Sequence, residues 1–248
     1  MRFVAAAGAL WLSFAPLLAA TFADYGDCVA AVSADAKKAL PRAEEWSRTG
    51  GGAPAEHCAA LALSGLNRYR EAAAKLDALA NRPGVGDYRG RAALYDQAGN
   101  AWLLAGKAQA ADHSFSAALR LTPDDAEMLA DRARARAVLK NWAGIEADLS
   151  AAIRIDQDRA DLLSLRAAAR RHLGRKEGAA TDILRALTIY PDYPAALIQR
   201  GAMRLEAGDI NGARRDWQKA AQKGGDTAVE AKRLLATLPV AQKPQRKK

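Results

Sequence analysis

The chain has 248 residues, of which 50% are hydrophobic and 26% charged, and its formal net charge is +9. This length allows one or two domains. Four of the positive charges lie in the last six residues, KPQRKK, so the body is only mildly basic, and we do not predict nucleic-acid binding.

Residues 1–23 have the pattern of a secretory signal peptide. Arg2 precedes an apolar run over residues 3–20, and the small residues Thr21 and Ala23 suit a cleavage site before Asp24. An uncleaved anchor is the alternative, because the run approaches the roughly 20 residues that a membrane-spanning helix needs. The small-residue pattern favours cleavage, so we predict a periplasmic or secreted protein that is soluble once the signal peptide is removed.

The chain has two cysteines, Cys28 and Cys58. In the oxidising compartment that export implies, an even cysteine count favours one disulfide. Such a bond would stabilise the fold by roughly 3 kcal/mol through loop entropy. Two buried free thiols are the alternative.

An N-terminal helical cap is predicted over residues 24–52. Within it, the stretch 35–46 resembles a helix with a kink at Pro41. A degenerate repeat follows over 53–86, and the glycine-containing segment 84–91 is interpreted as a loop.

The remainder of the chain repeats itself every 34 residues without insertion or deletion. Small residues recur at the eighth position and turn residues at the fifteenth, so each unit is predicted to form two antiparallel helices. The four units span 92–125, 126–159, 160–193 and 194–227. We predict that residues 228–239 form a C-terminal capping helix and that the basic tail 240–248 is disordered.

The unit at 92–125 resembles the tetratricopeptide repeat (TPR) family. The resemblance rests on Tyr95, Ala98, Gly99, Trp102, Ala111, Phe115, Ala118 and Pro123. It implies an all-α fold, a right-handed α-solenoid of antiparallel helix pairs built from 34-residue repeats.

Arginine and aspartate recur together in the last three units. An arginine at position seven is always accompanied by an aspartate at position twenty-three, and the unit at 92–125 lacks both, with Ala98 and Ser114 instead. Because a partly buried charge needs a partner, we predict salt bridges within each unit. The predicted pairs are Arg132–Asp148, Arg166–Asp182 and Arg200–Asp216.

Arginines also recur at position eleven, as Arg136, Arg170 and Arg204. Two interpretations are open for them: they share the same aspartates, or they lie along the groove between repeats. Arg134 has no counterpart in the next two units, so the repeat does not explain it.

The resemblance implies that positions two, five, nine, twelve and thirteen of each first helix line a concave groove that binds a peptide or protein segment. The candidate groove residues are Asn100, Leu103, Arg134, Val138, Ala168, Arg171, His172 and Leu205. Some TPR proteins grip a terminal carboxylate with a lysine and asparagine clamp. Asp96 stands where that lysine would be, so this clamp is not predicted.

No catalytic constellation, cofactor motif or metal-binding spacing occurs in the sequence, so we predict neither an enzyme nor a cofactor or metal. The sequence favours an exported protein-interaction scaffold in cell-envelope assembly or maintenance, with a protein or peptide partner. The alternative is an electrostatic binder of an anionic envelope surface, through the groove and the tail at 243–248.

Overall fold

The computed structural model describes residues 21–239, and every regular element within that range is helical. The predicted all-α class is therefore confirmed. The predicted signal peptide lies almost wholly outside the described residues, and so does the basic tail. None of the described helices is long and apolar enough to cross a membrane. The chain divides into two compact units between Leu66 and Asn67.

The first unit contains two helices joined by a short π-helical turn. Helix α1 spans Tyr25–Trp46, the turn spans Ser47–Gly51, and α2 spans Gly52–Gly65. The predicted kink at Pro41 is wrong, because helical geometry is interrupted at Asp35 instead. The Asp35 carboxylate accepts a hydrogen bond from a backbone N–H in the following turn at 3.1 Å, so this residue caps the second half of α1.

A disulfide joins the two helices of the first unit. Cys28 on α1 and Cys58 on α2 are bonded, with their Cα atoms 6.3 Å apart. Both side chains are fully buried, and so are small residues of the same helices such as Ala43 and Ala55. Alanines bury little apolar area per residue, so a covalent link compensates for a thin core.

Removing this disulfide should destabilise the first unit. The bond closes a loop across a sequence separation of 30 residues, for which loop entropy predicts a loss of about 3–4 kcal/mol. We expect C28A/C58A to lower the midpoint of chemical denaturation by a corresponding amount. Unfolding of the oxidised chain, the reduced chain and the variant should be compared, and equal stability of all three would contradict the prediction.

The second unit is an α-solenoid of helix pairs that confirms the 34-residue period. Helices α6, α8 and α10 begin at Ala126, Ala160 and Pro194, and the partner helices of the pairs keep the same spacing. The helices are α3 (Tyr69–Asn81), α4 (Tyr88–Leu104), α5 (Ala108–Leu121), α6 (Ala126–Val138), α7 (Trp142–Ile155), α8 (Ala160–His172), α9 (Lys176–Ile189), α10 (Pro194–Glu206), α11 (Ile210–Ala221) and α12 (Gly225–Ala236).

Helix α4 begins inside the segment 84–91 that the sequence suggested was a loop. Asp87 adopts extended backbone geometry, and its side chain accepts a hydrogen bond from the N–H of Gly90 at 2.8 Å. This capping starts the helix at Tyr88, so the loop is shorter than expected. At the other end of the unit, the predicted capping segment 228–239 falls mostly within helix α12.

Small residues at position eight allow the two helices of a pair to approach closely. A Cβ atom built on Gly99 would lie 2.6 Å from the Phe115 ring, and one on Gly201 would lie 2.3 Å from Trp217. Both aromatic rings are buried. Any side chain at these glycines would therefore displace a core ring.

Each of the last three pairs is joined by a buried aspartate and a bidentate arginine. The Nη2 to Oδ1 distances are 2.6, 2.7 and 2.7 Å, and the Nε to Oδ2 distances are 3.0, 2.9 and 3.0 Å. The aspartates are at most 3% exposed. The pairs are Arg132–Asp148, Arg166–Asp182 and Arg200–Asp216.

The arginines at position eleven share the same aspartates. The Nη1 atoms of Arg136, Arg170 and Arg204 donate to the Oδ2 atoms at 2.7, 2.9 and 2.7 Å. Each buried carboxylate therefore accepts hydrogen bonds from two guanidinium groups. We call this arrangement of one aspartate and two arginines the aspartate node.

The unit at 92–125 makes a different polar contact at the same place. Ser114 donates to Asp77 on α3 at 2.8 Å, and the indole N–H of Trp102 donates to that carboxylate at 2.7 Å. The carboxylate therefore comes from the preceding helix, α3, instead of from position twenty-three of the same unit. This explains why arginine and aspartate are absent together from this unit.

We expect D182A to destabilise the second unit by about 3–5 kcal/mol, because it leaves Arg166 and Arg170 partly buried without their shared carboxylate. Urea denaturation of the purified chain measures this loss. The matched control is D158A, since Asp158 is 86% exposed and lies 3.7 Å from Arg185. That change should alter stability by less than about 0.5 kcal/mol. Equal effects of the two variants would contradict a structural role for the node.

Candidate functional site

The first helices of the second unit, α4, α6, α8 and α10, carry the residues that the TPR resemblance assigns to a binding groove. We call the side formed by positions two, five, nine, twelve and thirteen of the 34-residue units that begin at 92, 126, 160 and 194 the groove face. The candidate residues on it are Asn100, Leu103, Arg134, Val138, Ala168, Arg171, His172 and Leu205.

Asn100 connects two carboxylates on neighbouring first helices. Its side-chain amide donates to Asp96 on α4 and to Asp131 on α6, both at 3.3 Å. The second carboxylate oxygen of Asp96, Oδ1, is buried and has no hydrogen-bond partner among the described residues. A buried acceptor without a donor destabilises the charged form of the acid.

The pKa of Asp96 is raised to about 7, chiefly because burial disfavours its charged form. Repulsion from the carboxylates of Asp131, Asp125 and Glu127 raises the pKa further, while the hydrogen bond from Asn100 lowers it. This end of the groove face is therefore acidic, and one of its carboxyl groups exchanges its proton near neutral pH.

The two arginines of the predicted basic spot are paired within the chain. Arg134 forms a salt bridge with Asp131 and lies 3.9 Å from Asp161 on the next first helix. Asp161 also accepts two hydrogen bonds from Arg159, both at 2.9 Å. Charge on this part of the face is therefore largely balanced.

Arg171 is likewise engaged, donating to Glu206 on α10 at 2.7 Å. Its neighbour His172 stacks on the indole of Trp142, with ring centroids 4.0 Å apart and planes 9° from parallel. Burial lowers the pKa of His172, and the charge of Arg171 lowers it further. Both effects favour the neutral imidazole, and the ring contacts an aromatic ring of the preceding pair.

The apolar candidates differ in how far they are available to a ligand. Val138 is 68% exposed at the end of α6, and a cavity of about 500 Å³ opens beside it, lined also by Trp102, Lys107 and Leu139. Leu104 occupies the same repeat position on α4 and is also exposed. An apolar side chain of a ligand could therefore be buried at this edge.

Leu103, Ala168 and Leu205 are only partly exposed. Leu103 packs against the buried cluster that contains Phe115, and Leu205 packs against the one that contains Trp217. All three side chains therefore offer less surface to a ligand than Val138 does.

Two charged residues of this face were not among the candidates. Asp131 stands at position six of its unit, and Arg159 stands at the last position of the preceding unit, just before α8 begins. Neither position belongs to the set implied by the resemblance. The sequence does indicate that the position of Arg159 is polar, because the same position is Asp125 in the preceding unit and Tyr193 in the following one.

Within residues 21–239, no three His, Cys, Asp or Glu side chains are arranged to hold a metal ion. The carboxylates around Asp96 repel one another, but they do not form a coordination site.

Comparison with solved structures identifies the fold. The chain is similar to YrrB, described as a TPR protein with an unusual peptide-binding site, with a TM-score of 0.58 and 17% identity over 77% of this chain and 97% of that one. It is similar to MamA, with a TM-score of 0.57 and 15% identity over 71% of this chain and 96% of that one. It is also similar to MamA 41-end from Desulfovibrio magneticus RS-1, with a TM-score of 0.57 and 15% identity over 66% of this chain and 92% of that one.

No protein-family model matches the sequence, and no curated protein matches it either. The structural similarities, at these identities, establish the fold alone. Together with the confirmed 34-residue helix pairs, they identify it as the TPR fold.

The raised pKa of Asp96 predicts a pH-dependent stability. Between the ordinary value of 3.8 and about 7, the folded chain holds a proton that the unfolded chain has lost, so stability falls as pH rises through this window. Asparagine cannot ionise, so D96N should melt at a higher temperature than wild type at about pH 8. The difference should vanish below about pH 4, where both states are protonated.

Melting curves of D96N and wild type across this pH range test the prediction. The control is D124N at an exposed position of the same repeat unit. If the effect of D96N on the melting temperature does not change with pH, the pKa of Asp96 is not raised in the folded chain and the prediction is wrong.

Proposed function

We propose that this chain is an exported, non-catalytic interaction scaffold that binds a peptide or protein segment along the groove face, in cell-envelope assembly or maintenance. The observation that carries the proposal is the cavity of about 500 Å³ beside the exposed Val138, at the edge of the groove face where α4 and α6 end. The groove face itself carries paired polar groups, such as Asn100 and Asp131. Apolar pockets combined with a few placed polar groups are typical of peptide recognition. The description of YrrB as having a peptide-binding site is consistent with this use of the fold.

The pairing of charges on the groove face favours selective over general electrostatic binding. Arg134 and Arg171 already contact Asp131 and Glu206, so a ligand must offer side chains that compete with or extend these contacts. Such a face discriminates among ligands through unpaired or repelled charges. It contributes little attraction to a uniformly anionic surface.

Export is supported by two independent features. The first is the signal-peptide pattern of residues 1–23, and the second is the buried disulfide between Cys28 and Cys58, because disulfides persist in oxidising compartments. Both features favour a partner outside the cytoplasm.

Crosslinking of the tagged chain in intact cells, followed by identification of the captured proteins, tests the scaffold. Two variants should lose the captured partner: V138E, which places a charge beside the cavity, and N100A, which removes the amide that joins Asp96 and Asp131.

The matched control is V229E, because Val229 on α12 is 68% exposed, as is Val138, and lies outside the groove face. Capture should survive moderate salt and deletion of residues 243–248. If V138E and N100A still capture the partner, the groove face is excluded as its binding site. Capture lost with salt and with the deletion would favour adhesion to an anionic envelope surface instead.

A further inference from the structure

The junctions between successive helix pairs are linked by a second set of polar contacts. At the α5–α6 junction, Arg132 donates to Ser116 of the preceding pair at 3.2 Å. At α7–α8, Arg166 donates to Ser150 at 3.2 Å. In both cases the arginine of the aspartate node at position seven reaches position twenty-five of the preceding unit.

The arginine at position eleven makes a parallel contact. Its Nε atom donates to an acid at position twenty-one of the preceding unit, from Arg136 to Asp112 at 2.7 Å and from Arg170 to Glu146 at 3.0 Å. At each of these two junctions the two node arginines therefore contact the aspartate of the node and one further carboxylate. At α7–α8 that further carboxylate, Glu146, also pairs with Arg175.

The α9–α10 junction lacks both acceptors. Positions twenty-one and twenty-five of the preceding unit are Ala180 and Leu184, whose side chains have no hydrogen-bond acceptor. Among the described residues, neither Nη1 of Arg200 nor Nε of Arg204 has a hydrogen-bond partner, and the latter lies 4.0 Å from Asp209. These two arginine side chains are 37% and 36% exposed, against 12–21% at the other two junctions.

A cavity occupies the place of the missing contacts. It has a volume of about 270 Å³, and apolar side chains such as Ile183, Leu187 and Met203 line it beside the two arginines. Leu184 at its rim is 69% exposed. The site thus combines an apolar floor with two cationic groups that face a single buried carboxylate.

This cavity is on the opposite side of the first helix from the groove face. At about 100° per residue, positions seven and eleven of a helix project away from positions five and nine. A ligand of the cavity would therefore leave the groove face accessible.

We propose that the α9–α10 cavity is a second docking site, for a protein segment that carries an aspartate or glutamate beside an aliphatic or aromatic side chain. The apolar side chain fills the cavity, and the carboxylate accepts from Arg200 and Arg204, as Glu146 accepts from Arg170 one junction earlier. A purely apolar ligand would leave the guanidinium donors unmatched, and a purely acidic one would leave Leu184 exposed.

The test restores at this junction the contacts that the chain already makes at its neighbours. In A180E/L184S, a carboxylate and a hydroxyl take the positions that Glu146 and Ser150 hold. We expect this variant to melt at a higher temperature than wild type, because it supplies both missing acceptors. The reciprocal variant E146A/S150L should open a matching cavity at α7–α8.

A phage library of random short peptides is selected on the full-length wild-type chain, and the enriched peptides are then measured against both variants. We expect them to carry an acid next to an apolar residue, to bind A180E/L184S at least roughly tenfold more weakly, and to gain a second site on E146A/S150L. The variant V138E at the groove face should bind them as wild type does.

Three results would overturn the proposal. The selected peptides could bind A180E/L184S with unchanged affinity, or they could lack an acidic residue. Wild type could also self-associate in sedimentation experiments while A180E/L184S stays monomeric, which would make a second copy of the chain the occupant of the cavity.

Discussion

A buried aspartate that accepts hydrogen bonds from two guanidinium groups is the interaction on which the repeat architecture depends. A carboxylate taken out of water is costly unless it is fully paired, and a bidentate arginine with a second donor provides that pairing. Because Asp148 and its counterparts lie on the second helix and the arginines on the first, each node fixes the two helices of a pair in one register. Small residues such as Gly201, next to Arg200, let the helices pack closely enough for the node to close.

The same arginines also determine how one pair meets the next. Where the preceding pair offers an acid and a serine, the guanidinium groups bridge the junction and little of them is exposed. Where it offers Ala180 and Leu184, the bridge is missing and a cavity remains. The stability of a repeat array is the sum of pair and junction contributions, so one junction can differ without disturbing the others. A repeat protein can therefore acquire a binding site by losing a contact.

The second unit offers two faces of different character. The groove face is rich in charges that are already paired across successive first helices, with an apolar edge at Val138. The opposite face contains the α9–α10 cavity, where Nη1 of Arg200 and Nε of Arg204 have no hydrogen-bond partner within residues 21–239. A scaffold with two such faces could hold two segments at once, and the effective concentration of one would be raised by the other.

The sequence by itself determined the all-α class, the 34-residue period and the joint occurrence of arginine and aspartate, because repetition displays each position several times in the same environment. It could not determine which contacts cross between repeats, since these join residues distant in the chain. Only the tertiary structure decided that Arg136 reaches Asp112 of the preceding unit and that Asn100 reaches Asp131 of the following one. It also decided that burial raises the pKa of Asp96. Local backbone choices were also beyond the pattern: the side chain of Asp87 starts a helix in a segment whose glycines suggested a loop. The physical reason is common to these cases, because periodicity fixes which side of a helix a residue faces, whereas packing fixes what it meets there.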